Sequence, residues 1–137
     1  MLRPEGHFFF NVWDRIDENE FAGAVTDALV AVFPDDPPRF MARTPHGYHD
    51  VDAIRADLAT AGFGHVSIEA VAETSKAPSP RDVAIAYCQG TPLRSEIEAR
   101  DAARLQAATE HAEMALAQKF GRGPLEGRMR AFVITAS

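Results

Sequence analysis

An almost unbroken apolar and aromatic ribbon, His7 to Trp13, follows the turn-forming Arg3-Pro4-Glu5-Gly6 at the very start of the chain. A run of this length without polar alternation belongs to a strand covered on both faces, as in the interior of an α/β sheet, rather than to a half-wet hairpin. An interior strand needs a neighbour at each edge, and nothing upstream within this sequence supplies one. The expectation is therefore a strand with one unfilled edge. Such an apolar edge is a pairing template, so self-association or pairing through the exposed strand 7–13 is expected unless something covers it.

The 137 residues amount to one domain at most, and we expect a single partial domain over 1–137. Apolar residues make up 46% of the chain, enough to build a core rather than a disordered segment. Fourteen Lys and Arg against 20 Asp and Glu leave a charge of −6, which repels phosphate backbones and argues against nucleic acid as a partner. The single cysteine, Cys88, cannot form an internal disulfide, which makes a cytoplasmic location the default expectation. No run approaches the roughly 20 apolar residues that span a bilayer, so no membrane partner is expected.

Downstream, Phe21, Val25, Ala28, Leu29, Val32 and Phe33 recur at helical spacing between Glu18 and Phe33, and Pro34 to Pro38 ends that helix. Phe40 to His49 reads as an irregular loop. Asp50 is placed to cap a helix that buries Val51, Ile54, Leu58 and Ala61 and stops at Gly62. Val66 to Val71 alternates with period two and predicts a strand. Ser79-Pro80 and Thr91-Pro92 each pair a hydroxyl cap with a proline at a helix start, and the first of these helices ends at Gly90. A longer helix is expected from Asp101 to Phe120, and a last strand from Arg130 to Thr135. The fold class is α/β, with a helical insert at about 79–121 before the last strand. Periodicity leaves the strand directions open.

The opening segment from Met1 to Phe10, Leu2-Arg3-Pro4-Glu5-Gly6 running into His7-Phe8-Phe9-Phe10, resembles the Pro-Gly turn and fifth strand of class I S-adenosylmethionine-dependent methyltransferases, with Glu5 in place of the first glycine. The helix from Asp50 to Ala61, Gly62-Phe63 and the strand after them fit the order of that family, and the resemblance spans essentially the whole chain. It implies the C-terminal half of a Rossmann-like methyltransferase sheet, about three strands, with the family's seventh strand antiparallel between its fifth and sixth. It also implies that the glycine-rich turn and the acidic residue that hold S-adenosylmethionine lie outside this sequence, so the cofactor is not expected to bind this chain alone. Gly62-Phe63-Gly64 and Gly121-Arg122-Gly123 offer no substitute, since both follow helices and read as helix stops. A truncated gene product, an internal start and a subunit completed by another chain all satisfy this expectation.

Ligands of open α/β sheets sit beyond the carboxyl ends of the strands. Trp13 is thus a candidate for stacking on a planar substrate, and Asp14 for orienting its hydroxyl or amine; as plain structure they are a core aromatic and a solvated turn residue. The loop Pro45-His46-Gly47-Tyr48-His49-Asp50 contributes His46, a candidate general base for an acidic hydroxyl, and Tyr48. His46, His49, Asp50 and Asp52 crowd together, but no second cluster completes a metal site and Asp50 is better used as a cap. The resemblance makes Tyr87, Gln89 and Arg94 residues of a substrate-covering insert; a helix corner with Tyr87 in the core is the competing reading. Cys88 reads as a buried thiol and not a nucleophile. Glu110, His111 and Glu113 surround their helix instead of sharing one face, as a solvated surface does.

Two functional expectations follow. The first is the substrate-side half of a methyltransferase acting on a small molecule, inactive alone. The second is a self-sufficient α+β ligand-binding module without catalytic activity.

Overall fold

The computed structural model describes residues 2–137; Met1, the first residue of the segment that carries the resemblance, lies outside them. Three strands form one sheet: β1 (Phe8–Trp13), β2 (Val66–Ala77) and β3 (Leu125–Ala136). The order is β1-β3-β2, and β3 is antiparallel to both neighbours, so β1 and β2 run parallel to each other across it. Six helices connect them: α1 (Glu20–Val32), α2 (Phe40–Arg43), α3 (Val51–Thr60), α4 (Pro80–Gly90), α5 (Leu93–Asp101) and α6 (Leu105–Phe120). The chain is α/β, as its pattern predicts.

Alternation along β3 explains how one sheet carries two cores. Phe132, Ile134 and Ala136 point to one face, where the register aligns Phe10, Ile134 and Ile68 in one row and Val12, Phe132 and Ala70 in the next. Ile54 and Leu58 of α3 cover those rows. The opposite face is covered only at the other end of β3, where Leu125 joins α1, α4, α5 and α6 in the larger core around Val25, Leu29, Ala84, Ile97 and Leu116. Burying each of the Val, Leu and Ile side chains among them contributes about 1.5–3 kcal/mol, which makes the helical layer the main source of stability. Gly127 lies in this contact because a Cβ there would come 2.7 Å from the Phe21 ring.

Local signals act as the sequence predicts in several places. The Asp50 carboxylate accepts from the N–H groups of Asp52 and Ala53, and Gly62 takes φ 95° after α3. Ser79 caps α4 with Pro80 in its first turn. The second such pair differs: Pro92, not Thr91, is the N-cap of α5, and the Thr91 hydroxyl accepts from Leu93 N–H and donates to the Tyr87 carbonyl, joining α4 to α5.

Several expectations need correction, the simplest being Ala61, expected on the buried face of α3 and instead exposed at its end. β1 has the open edge that the sequence predicts but is not covered on both faces: its second face is open, with Phe9 67% exposed and Trp13 and Val133 also exposed. Phe9, Asn11 and Trp13 share that face, and Phe9 and Trp13 on it are exposed. The segment 40–49 is not wholly irregular, because Phe40–Arg43 closes a helical turn against α5. β2 and β3 extend well beyond their alternating stretches because each supplies the other's hydrogen-bonding partner over twelve residues. Finally, α6 begins at Leu105, after a 3₁₀ turn at Ala102–Arg104 that Asp101 caps.

Candidate functional site

A cavity of about 300 Å³ opens beside the carboxyl end of β1. Trp13 ends that strand, Asn19, Phe21 and Ala22 come from the start of α1, and Met41, Pro45 and His46 from α2 and the loop after it. Ser75, Arg128 and Met129 of the β2–β3 ribbon and Tyr87 of α4 complete the wall. Its size falls at the lower end for small-molecule sites, and its lining is largely apolar with a few polar groups, as such sites are.

Asn19 assembles this end of the sheet. Its amide donates to the carbonyls of Asp14, Arg15 and Arg130, while its Oδ1 accepts from Arg130 N–H at 3.1 Å. The Asp14 carboxylate, only 4% exposed, pairs with the Arg130 guanidinium at 3.1 Å and accepts from Arg15 N–H. The exit of β1 is therefore fixed to β3 through both backbone and side chains. Arg128 is held at the rim by Glu18 at 3.3 Å.

This fixed backbone orients His46. Its Nδ1 lies 2.9 Å from the Asp14 carbonyl oxygen, which can only accept, so Nδ1 carries the proton and Nε2 keeps a lone pair. Burial lowers the imidazole's pKa from its usual 6.5, and the Asp14 carbonyl and carboxylate offset only part of that. The neutral ring is the form present at pH 7. Nε2 has no partner among the described residues, and the Trp13 ring stands 5.8 Å from the imidazole. The Tyr87 hydroxyl also lacks a protein partner among the described residues, and burial raises its pKa, keeping it a neutral donor.

A pH dependence follows from the His46 shift. The unfolded chain binds a proton near pH 6.5 that the folded chain resists, so folding stability falls as pH drops below that value until the lower folded pKa is reached. Urea unfolding midpoints from pH 7.5 to 5 are expected to fall more steeply for the native chain than for His46→Gln. Parallel curves would show that burial does not hold the ring neutral.

Of the candidate residues, the fold brings Trp13, His46 and Tyr87 to one cavity, with Asp14 directly behind His46. Tyr48, Gln89 and Arg94 are not there. The chain reverses at Gly47, and the exposed Tyr48 hydroxyl donates to Asp57 on α3. The Gln89 amide donates to the Thr109 hydroxyl at 3.2 Å, between α4 and α6. Arg94 pairs with Glu98 one turn along α5, in solvent. Cys88 is fully buried, and burial pushes its thiol up to about 11 despite a contact with Thr109, a setting that suppresses the reactive thiolate. Periodicity and motif give no sign of Met41, Ser75, Arg128 or Met129; Asn19, a polar residue at a helix start, carries a signal, but for a different role. Its side chain leaves α1 uncapped and bridges two strands instead.

Among the described residues, no group of three or more His, Cys, Asp or Glu side chains is arranged to hold a metal ion, and no helix is long and apolar enough to cross a membrane. The two glycines of positive φ, Gly62 and Gly121, follow helices α3 and α6, while β1 and β2 run out into Asp14 and Pro78-Ser79. No protein-family model matches the chain, and no curated protein does.

Proposed function

We propose that this chain is the substrate-side part of an S-adenosylmethionine-dependent methyltransferase acting on a small molecule in the cytosol, with the methyl donor held by protein outside this sequence. The observation that carries the reading is the combination at β1: a strand open along one edge and one face, whose carboxyl end delivers Trp13 and Asp14 to a cavity. β3 lying antiparallel between two mutually parallel strands is the arrangement the resemblance implies, and it supports the same reading.

The residues present do not fit S-adenosylmethionine itself. A strand leading into a glycine turn and a helix lets backbone approach such a ligand closely, and the ends of β1 and β2 carry no glycine. No step of methyl transfer is therefore assigned to these residues. Their role is to bind and orient the acceptor, which is the larger part of catalysis in an in-line displacement. The open edge of β1 is where further sheet, or a second copy of the chain, would add.

A ligand-binding module without catalysis is the second reading, favoured by a cavity lined entirely by this chain. Calorimetric titration with S-adenosylhomocysteine separates the two. The chain alone is expected not to bind it, whereas the product of the reading frame extended upstream, carrying a strand, Gly-x-Gly-x-Gly and helix, is expected to bind. Tight binding by the chain alone would overturn the division of labour proposed here. An upstream frame without that segment, together with a monomeric and cooperatively unfolding chain, would favour the module.

A further inference from the structure

We infer that the cavity beside β1 takes a neutral hydroxyaryl ligand, a phenol or naphthol type ring system, whose hydroxyl donates its hydrogen bond to Nε2 of His46. The polar groups decide the ligand's chemistry by what they leave unpaired. The Asp14 carboxylate behind the cavity is already used by Arg130 and by Arg15 N–H, so no free carboxylate awaits an ammonium group. Arg128, the cation of the described lining residues, sits at the rim, half exposed and paired with Glu18, so its charge is partly offset and faces solvent.

His46 Nε2 is the acceptor fixed in direction, because Nδ1–H is committed to the Asp14 carbonyl, whereas the Tyr87 and Ser75 hydroxyls of the lining, unpaired among the described residues, can rotate to donate or to accept. A ligand that fills the cavity without a donor would leave this nitrogen buried and unpaired, so the site discriminates for a hydroxyl. The walls select the rest of the ligand. Phe21, Met41 and Met129 offer ring and thioether surfaces that favour an aromatic face, and Trp13 stands at the mouth beside His46. A volume of about 300 Å³ suits one ring or a fused pair. The inference rests on the methyltransferase reading only in making the bound hydroxyl the group to be methylated; binding is independent of the donor.

The test uses the full chain, labelled with ¹⁵N, and two probes that differ only at the oxygen: 2-naphthol and 2-methoxynaphthalene. The naphthol is expected to bind about tenfold more tightly than its methyl ether, the worth of one hydrogen bond to an otherwise unpaired acceptor. It should shift the His46 Nε2 resonance and the indole N–H of Trp13, the single tryptophan. In His46→Leu the ratio between the probes should fall to about one. Equal binding of both probes to the native chain, an unmoved Nε2 resonance, or no binding of either overturns the inference, and these readouts decide it even if His46→Leu fails to fold. Binding of the naphthol by an upstream-extended chain that never methylates it would count against the methyltransferase reading and leave the site assignment standing.

Discussion

Replacing Gly47 with alanine is expected to destabilise the fold by about 3 kcal/mol and to abolish binding in the cavity beside β1. A Cβ at this position would overlap the carbonyl oxygen of Arg43 and sit 2.7 Å from its carbonyl carbon. Both are backbone atoms, so no side-chain rotation relieves the clash, and the loop must move off the end of α2. That loop is held by His46 N–H donating to the Met41 carbonyl, and it carries the imidazole that reaches Asp14. Displacement therefore costs packing and removes the one oriented acceptor together. Gly64→Ala is the matched control, since a Cβ there meets nothing within 4 Å and its effect should stay within about 0.5 kcal/mol. Urea unfolding of both variants checks the pair; a Gly47→Ala midpoint close to the native one would show that the loop can yield cheaply.

The second large effect is expected at Glu96. This residue of α5 accepts from the N–H groups of Arg39 and Phe40, which open α2, and from the Arg43 guanidinium on the same turn. One carboxylate thus fastens the segment that supplies Met41 to the cavity. Glu96→Ala leaves two backbone donors without their acceptor and is expected to cost about 2–3 kcal/mol; Glu96→Gln retains an acceptor and should cost less. Burial acts to raise the Glu96 pKa, but the hydrogen bonds and charge of Arg43 with the Phe40 and Arg39 amides outweigh it, and the net shift is below the usual 4.5. A depressed folded pKa means that this contribution is fully present above pH 4.5 and is lost as pH falls through the folded value. The gap in urea midpoint between the native chain and Glu96→Gln should therefore be constant near neutrality and close in acid. A gap that widens in acid would reverse the sign of the shift.

Features that depend on short stretches of chain are legible in the sequence. Asp50, Ser79-Pro80 and Gly62 act within three or four residues of their own helices, so spacing alone assigns them. The core face of α1 likewise follows from periodicity. The ribbon His7 to Trp13 misleads in one respect, because composition cannot tell a strand with two covered faces from one whose second face is bare; Phe9 and Phe10 are equally apolar and only one is sheltered. The cavity is legible only through its aromatic and titratable members. Ser75, Arg128 and Met129 lie on an extension of the ribbon that exists only because β2 and β3 pair over twelve residues, a tertiary fact with no local signal. Tyr48 fails as a candidate because a reversal at Gly47 turns neighbours in sequence toward opposite environments.

The position of β3 imposes an order on biogenesis. It is synthesised after both of its neighbours, yet it supplies the hydrogen bonds of each, and the Asn19 contact to Arg130 closes over a separation of 111 residues. A nascent chain emerging from the ribosome carries β1 and β2 without this shared partner until β3 itself is out, and that interval is when a holdase would protect it most.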